Sequence, residues 1–143
     1  MAARPGTDVS DAGYSGTPLP KKLGFKPGMR AHVHAAPPEL PGLLGELDGV
    51  TWLTRPARPL DIVLLFVTER RELARRVATL QERLAPAGML WVCWPKRASG
   101  VPTDVTEDTV REVALPRGLV DTKVAAIDAT WSGLRLVIRR ERR

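Results

Sequence analysis

The sequence predicts an α/β domain of three layers, with a mostly parallel, Rossmann-like sheet of five or six strands and an antiparallel carboxyl-terminal hairpin strand. Three observations carry this prediction. Short apolar runs alternate along the chain with stretches of helical periodicity, which is typical of α/β proteins. Asp61–Val67 is almost continuously apolar, as in a central parallel strand covered on both faces. Finally, five residues, 129–133, separate the last two strand-like segments, and so short a linker favours an antiparallel hairpin.

The first half of the chain begins with a segment rich in turn-forming residues and then becomes regular. We expect residues 1–13 to be a flexible leader and residues 14–143 to form a single α/β domain. Thr17 and Pro18 mark a helix start, since a capping hydroxyl precedes a residue that needs no amide donor there. The predicted elements that follow are a helix ending at Gly24, a turn over Lys26–Gly28, a strand over Arg30–Ala36, a helix over Pro38–Asp48, a short strand over Val50–Thr54 and the strand Asp61–Val67.

The second half contains the clearest helix, which Thr68 is predicted to cap and which extends to about Ala85. Pro86 and Gly88 then interrupt the helical pattern. Asp104 and Glu107 have the spacing of a capping box and predict the start of another helix. The remaining predicted elements are a strand over Met89–Trp94, a helix from Asp104 to about Pro116, and the two hairpin strands Val120–Asp128 and Leu134–Arg140.

Composition and charge exclude several classes of protein. The chain has 143 residues, 43% apolar and 27% charged, which fits neither a disordered chain nor a membrane protein. The net charge is +6, but acidic residues are interleaved with the basic ones, so the sequence argues against a nucleic-acid partner. The longest apolar run, Ile62–Val67, is too short to cross a bilayer, so no membrane partner is expected. The single Cys93 allows no intrachain disulfide and no cysteine-rich zinc site, and we expect a cytoplasmic location.

Three phrases resemble an uncharacterised bacterial family that is known as a domain of unknown function. They are YSGTPL at 14–19, LWVCWPK at 90–96 and GLVDTKVAAIDATWSGL at 118–134. The order of elements also resembles a truncated class I methyltransferase, a fold in which a helix, a strand, a further helix and a terminal hairpin form the second half. The resemblance implies a methyltransferase-like fold and brings no established activity with it.

The segment after the first predicted strand bears on whether such a fold could bind its cofactor. Methyltransferases and dinucleotide-binding enzymes place a glycine-rich loop here, so that backbone N–H groups can approach the cofactor. This chain has Ala35-Ala36-Pro37-Pro38-Glu39, which contains no glycine and two residues without an N–H. The stretch before Asp61 is also too short for two complete βα units. We therefore expect no S-adenosylmethionine and no other cofactor.

Histidine, cysteine and serine side chains are the candidate catalytic or metal-binding groups. His32 and His34 alternate along a strand and face one side, but no third ligand is evident, so we expect both to bond to neighbouring groups and predict no metal site. Cys93 lies in the middle of a strand, where a thiol is usually buried and its pKa raised. No serine has a nucleophile-elbow motif around it. The sequence predicts no catalytic residue.

The predicted binding site lies at the edge of the sheet where the parallel strands end, because ligands of open α/β sheets bind there. The segments expected at this edge are Ala36–Pro37, Thr68–Glu69, Trp94–Arg97 and Asp128–Trp131. Aromatic rings, cations and a helix start at this edge would suit a planar or anionic group. The residues that we predict to bind a ligand are Trp94, Lys96, Arg97, Thr103, Asp128, Thr130 and Trp131.

Two function classes therefore stay open from the sequence. The first is a non-catalytic, degenerate methyltransferase-like domain that binds an unidentified small ligand or protein partner at this edge. The second is an active methyltransferase with a nonstandard cofactor loop. The loop Ala35–Glu39 favours the first.

Overall fold

The computed structural model describes residues 16–143, so the predicted leader and the predicted domain start at Tyr14 lie outside the described residues. The helices are α1 (Leu19–Leu23), α2 (Leu40–Leu44), α3 (Arg70–Gln81) and α4 (Glu107–Ala114). The strands are β1 (Arg30–His34), β2 (Thr51–Trp52), β3 (Leu60–Phe66), β4 (Leu84–Pro95), β5 (Leu119–Ala126) and β6 (Trp131–Ile138). Short 3-10 turns occur at Arg97–Ser99, Leu115–Arg117 and Arg140–Arg142.

The six strands form one sheet in the order β2-β1-β3-β4-β6-β5. The first four strands in this order are parallel, and β6 is antiparallel to both of its neighbours. Because β6 lies between β4 and β5, these two strands run in the same direction. The predicted mostly parallel sheet with an antiparallel hairpin strand is confirmed.

Apolar side chains fill both faces of the sheet. One cluster lies beneath α3 and α4 and includes Leu73, Val77 and Val110, all fully buried. The other lies beneath α1 and α2 and is centred on Trp91, whose indole Nε1 donates to the Leu23 carbonyl at 2.9 Å. The strands β3 and β4 are buried from both sides, as their continuous apolar sequence predicts. The three-layer prediction is thus confirmed.

Helix α2 is much shorter than the predicted Pro38–Asp48. It ends at Gly45, whose φ of 66° and ψ of −164° are not helical. A glycine in a helix interior lowers helix stability by about 1 kcal/mol relative to alanine, and α2 contains one, Gly42, in addition to Gly45 at its end. The segment that follows must also turn back beneath Pro27: a Cβ at Gly49, where φ is 77°, would lie 2.8 Å from the Pro27 Cβ. Position 49 therefore requires glycine, and α2 ends before the predicted Asp48.

The starts of helices α1, α3 and α4 differ from the predictions. Helix α1 begins after Pro18, with no side-chain cap. Thr68 does not cap α3; instead the Asp104 carboxylate accepts from the Arg70 N–H at 2.6 Å, although 34 residues separate them. Because the Asp104 carboxylate is bonded to the start of α3, the capping box of α4 is formed by Thr106 and Thr109 rather than by Asp104 and Glu107.

The segment after α3 also differs. The helix ends at Gln81 rather than near Ala85, and β4 begins at Leu84. The pairing of β4 with β3 contains a bulge between Leu84 and Met89. A Cβ at Gly88 would lie 2.6 Å from the Leu60 carbonyl oxygen, so the glycine lets the bulge approach β3 closely.

The hairpin turn is displaced towards the amino terminus by about three residues. The strands β5 and β6 replace the predicted Val120–Asp128 and Leu134–Arg140. The Asp128 carboxylate accepts from the N–H groups of Thr130 and Trp131 at 2.9 and 2.7 Å, which closes the turn through a side chain. Trp131 is consequently the first residue of β6 rather than part of the linker.

Candidate functional site

The strand order defines where an open α/β sheet would bind a ligand. The chain passes from β1 outward to β2 on one side and from β3 to β4 on the other, so the direction of winding reverses between β1 and β3. Ligands in such sheets occupy the crevice beyond the carboxyl ends of the strands at this switch point. We call this side of the sheet, where β1, β3, β4 and β5 end and β6 begins, the carboxyl-end edge.

A cleft of about 280 Å³ lies at the switch point itself. Its wall contains an edge-to-face pair formed by Phe66 and Trp131, whose ring centroids are 5.1 Å apart at 85°. The residues that line this switch-point cleft are His34, Ala35, Phe66, Val67, Thr68, Glu69, Glu72 and Trp131. The cleft thus combines an aromatic wall with an imidazole and two carboxylates.

His34 and Glu72 form the polar side of the switch-point cleft. The His34 Nε2 lies 3.5 Å from a Glu72 carboxylate oxygen, and Glu72 also binds Arg75 and Arg76. Burial and the neighbouring Arg76 lower the pKa of His34, and the contact with Glu72 offsets part of this effect. Hydrogen bonds from Arg76 and Arg75 hold the pKa of Glu72 below its usual value. The arrangement favours a neutral imidazole beside an ionised, paired carboxylate.

The loop between β1 and α2 contributes Ala35 to the lining of this cleft. Ala35 has a φ of 58°, a left-handed conformation that glycine adopts far more readily than alanine. Pro37 and Pro38 have no N–H, and the Leu40 N–H donates to the Pro37 carbonyl at 3.0 Å. The loop therefore follows a glycine-like path at its first residue but presents few free amide donors.

The predicted residues around the hairpin do come together at the carboxyl-end edge. The Lys96 ammonium donates to the Asp128 carbonyl at 2.8 Å, and the Lys96 N–H donates to the Thr130 carbonyl at 2.7 Å. Lys96, Asp128 and Thr130 therefore fix the turn between β5 and β6 onto the end of β4. Thr103, whose hydroxyl donates to the Thr68 carbonyl at 2.6 Å, ties the following loop to the end of β3.

The sequence analysis assigned Trp94 and Trp131 to one binding site; both lie at the carboxyl-end edge, but they do not share a cleft, and this corrects that assignment. Trp94 pairs with Ser132 and Pro95 pairs with Trp131. Side chains of adjacent residues alternate between the faces of a sheet, so the two indoles point to opposite faces. Trp94 belongs to the core beneath α3 and α4, whereas Trp131 packs against the other core.

A second cleft, of about 470 Å³, lies on the Trp94 side of the same edge. Trp94 is only 7% exposed, so it forms the floor, and the exposed Arg97 is the charged group at the rim. The residues that line this Trp94 cleft are Trp94, Pro95, Arg97, Val101, Pro102, Thr103, Val105 and Thr106. Three of the seven predicted ligand-binding residues line it, and Trp131 lines the other cleft.

Sequence reasoning missed His34, Phe66 and Glu72 as cleft residues. The sequence analysis weighed His34 only as a metal ligand, rejected that role and expected its ring to bond to neighbouring groups, although His34 lies at the end of a strand next to the switch point. The strand order would have indicated this position once β2 was placed beside β1. Glu72 enters the cleft from the first turn of α3, which sequence spacing alone does not relate to β1.

The remaining chemistry-bearing groups have structural partners. The His32 ring, largely buried, has Nδ1 2.8 Å from the Leu53 carbonyl oxygen. Burial, together with the charge of Asp128, raises the pKa of the Cys93 thiol far above its usual range. Within residues 16–143, no group of three or more His, Cys, Asp or Glu side chains is arranged to hold a metal ion. In the same part of the chain, no helix is both long enough and apolar enough to span a membrane.

Several solved structures with a similar fold are methyltransferases. An S-adenosylmethionine-dependent methyltransferase from Aquifex aeolicus superposes with a TM-score of 0.61 over 84% of this chain and 88% of its own, at 14% identity. Magnesium protoporphyrin IX methyltransferase from Synechocystis PCC 6803, with bound S-adenosylmethionine, gives a TM-score of 0.56 over 84% of this chain and 74% of its own, at 9% identity. At these identities the likeness establishes the methyltransferase-like fold alone.

Sequence comparisons point to one family. The family model described as "Protein of unknown function (DUF3052)" matches residues 50–140. The search of curated proteins found no significant match. The matched segment runs from β2 to the end of the hairpin and so contains most of the sheet.

Proposed function

We propose, for a chain that belongs to the DUF3052 family of proteins of unknown function, that this methyltransferase-like domain performs no methyl transfer and instead binds a ligand at the carboxyl-end edge. The ligand is a small molecule or a segment of a protein partner. A cytoplasmic location stays a prediction of the sequence.

The loop Ala35–Glu39 is the observation that carries this proposal. A methyltransferase-like fold that binds its cofactor needs backbone donors and close approach at the end of β1. Here Pro37 and Pro38 remove two donors, and the Leu40 N–H is already bonded within the loop. Helix α2 has only five residues, so it also offers a weak dipole to an anionic group.

Strand β2 supports the same proposal. In dinucleotide-binding folds, an acidic residue at the end of the second strand binds the ribose hydroxyls. Here β2 has two residues and is followed by Leu53, Thr54 and Arg55, so no carboxylate occupies that position. A nucleoside cofactor would therefore lack backbone donors at the end of β1 and a carboxylate acceptor for its ribose at the end of β2.

The two clefts at the carboxyl-end edge support a binding role. They lie along the same edge, the switch-point cleft beyond the ends of β1 and β3 and the Trp94 cleft beyond the end of β4, and each has an aromatic side chain and a charged side chain in its lining. Aromatic surface with a few polar groups is typical of small-molecule sites. His34 and Glu72 would hold a polar group in the switch-point cleft, and Arg97 would hold an anionic group in the Trp94 cleft.

Calorimetry with S-adenosylmethionine and S-adenosylhomocysteine tests the absence of cofactor binding, with an active methyltransferase as the positive control. We expect no heat of binding at micromolar protein. Micromolar affinity for either compound would contradict the proposal and favour the alternative, an active methyltransferase with a nonstandard loop.

A thermal-shift screen of nucleotides, small anions and amines tests the binding role. A ligand at a hundred times its dissociation constant stabilises the native state by about 2.7 kcal/mol. His34→Ala and Arg97→Ala then locate the ligand in one cleft or the other. Arg71→Ala, which changes an exposed residue of α3 outside both clefts, is the matched control. A ligand whose shift survives both cleft variants would contradict binding at this edge.

A further inference from the structure

The opposite edge of the sheet gathers arginines that are far apart in the sequence. We call it the amino-end edge, because β1, β3, β4 and β5 begin there and the antiparallel β6 ends there. Residues that begin those four strands or shortly precede them, and residues just after β6, must lie together at this edge. The arginines in such positions are Arg30, Arg55, Arg58, Arg83, Arg117, Arg139, Arg140, Arg142 and Arg143.

Hydrogen bonds hold together the segments that carry these arginines. The Arg30 guanidinium donates to the carbonyls of Pro59, Ala57 and Arg58, and Arg83 donates to the Pro56 carbonyl. The loop that contains Arg55 and Arg58 is thus held against the starts of β1 and β4.

The other half of the surface is joined in the same way. Arg117 exchanges hydrogen bonds with Gln81, two residues before Arg83. The Arg139 N–H donates to the Gly118 carbonyl, which brings the segment after β6 to the start of β5.

The positive charge of this edge is not neutralised by ion pairs within the described chain. Among residues 16–143, every arginine within 4.0 Å of a carboxylate belongs to α3 or α4: Arg70, Arg75, Arg76 and Arg111. The arginines of the amino-end edge donate to neutral carbonyl and amide oxygens where they have partners. The acidic residues in the segments of this edge are Glu46, Asp48, Asp61, Glu82 and Glu141, fewer than the arginines.

The shape and chemistry of the surface indicate the class of partner. From β1 to β5 the edge crosses four strand spacings, or about 19 Å at about 4.8 Å each. A row of this length exceeds what a single phosphate can contact, but it can reach both backbones across the major groove of B-form DNA, which is about 12 Å wide. Arginine binds phosphate oxygens through two parallel hydrogen bonds.

An anionic membrane fits this surface less well. Membrane-surface segments combine basic residues with exposed apolar side chains that enter the headgroup region. The large apolar side chains exposed among the described residues are Leu43, Trp52, Val101 and Val124. Of these, Trp52 is near the amino-end edge, where it pairs with Ala31 and its ring centroid lies 5.5 Å from that of Phe25, so the edge presents one partly packed ring rather than an apolar face. We propose that the amino-end edge docks onto the phosphate backbone of double-stranded DNA, with little dependence on base sequence.

The proposal is independent of ligand binding at the carboxyl-end edge. It also differs from the expectation drawn from the sequence, where interleaved charges argued against a nucleic-acid partner. Arg30 and Arg139 are 109 residues apart along the chain, yet the sheet topology places both at one edge. The spacing of the arginines along the sequence therefore does not indicate how far apart they lie in the structure.

Fluorescence anisotropy with a labelled DNA duplex of about two helical turns tests the proposal on the full chain. We expect binding at about 50 mM salt that weakens steeply towards about 200 mM, with a linear log–log salt dependence. The triple variant Arg55→Gln, Arg58→Gln, Arg140→Gln should bind roughly tenfold or more weakly, and the salt slope should fall by about 0.9 for each phosphate that the variant no longer neutralises.

The control is the triple variant Lys21→Gln, Arg71→Gln, Lys123→Gln, which removes the same charge from exposed residues elsewhere. Melting temperatures establish that both variants are folded. No binding at about 50 mM salt, or an equal decrease in affinity in the two variants, would overturn the proposal. Tighter binding to an RNA duplex, or binding to phosphatidylserine vesicles without binding to DNA, would replace DNA by another polyanion and also overturn it.

Discussion

Replacing Trp91 by phenylalanine tests whether this side chain fixes α1 to the sheet. Trp91 is fully buried, and its indole N–H donates to the Leu23 carbonyl at 2.9 Å. Its ring also packs over Gly133, where an added Cβ would lie 3.1 Å from the Trp91 Cε3. Phenylalanine keeps an aromatic ring in place but has no donor, so it leaves a buried carbonyl without a partner.

The expected loss of stability follows from this hydrogen bond and this packing. An unpaired buried acceptor costs about 1–3 kcal/mol, and the smaller ring leaves a void that adds about 1 kcal/mol. We therefore expect the free energy of unfolding to fall by about 2–4 kcal/mol, or the melting temperature by roughly 6–12 °C for a chain of this size.

Urea denaturation followed by circular dichroism measures the change, and hydrogen exchange of α1 amides reports whether that helix loosens. Trp52→Phe is the matched control, because Trp52 is 44% exposed at the edge of the sheet and should cost little. A loss below about 1 kcal/mol for Trp91→Phe, or an equal loss in the control, would refute the role assigned to the hydrogen bond and its buried ring.

Three further predictions concern single side chains. Burial and Arg76 lower the pKa of His34, so the native state binds this proton less readily than the unfolded chain does. The free energy of unfolding should therefore fall as pH is lowered through 6.5 and level off below the native pKa of His34. Urea titrations at several pH values measure this dependence, and the variant His34→Asn should lack it. Asp104→Ala removes the cap of α3 and should lower the free energy of unfolding by about 1 kcal/mol in denaturation experiments, whereas Asp104→Asn should keep most of it; equal losses would contradict the capping role. Burial raises the pKa of the Cys93 thiol, so a colorimetric thiol reagent should react far more slowly with the native protein than in denaturant, and equal rates would show that the thiol is accessible.

Much of the fold could be predicted from local patterns. The continuous apolar segment 61–67 predicted a central parallel strand, and β3 occupies it with both faces covered. The short linker before Leu134 predicted the hairpin. Boundaries were less accurate where a distant group decides them: α3 begins at a residue capped by Asp104, and α2 ends where the chain must turn beneath Pro27.

The candidate site could be predicted only in part. The carboxyl ends of the strands were assigned to one edge correctly, since parallel strands end on the same side. Which residues share a cleft depends on the face of the sheet, and a displacement of the hairpin turn placed Trp131 opposite Pro95 rather than beside Trp94. The contact of Glu72 with His34 joins the first turn of α3 to the last residue of β1, 38 residues earlier in the chain, and no sequence spacing indicates it.

Local sequence features specified the class of fold, the central strands and the path of the proline-containing loop Ala35–Glu39. These depend on properties of neighbouring residues: hydrophobic periodicity, φ restriction and the presence of an N–H. The tertiary structure alone decided the switch-point cleft, the separation of Trp94 from Trp131 and the arginine-rich amino-end edge. Each of these depends on which strands are adjacent and which face a side chain occupies. Contacts between segments tens of residues apart arise from the packing of the whole sheet, so no local pattern in the chain encodes them.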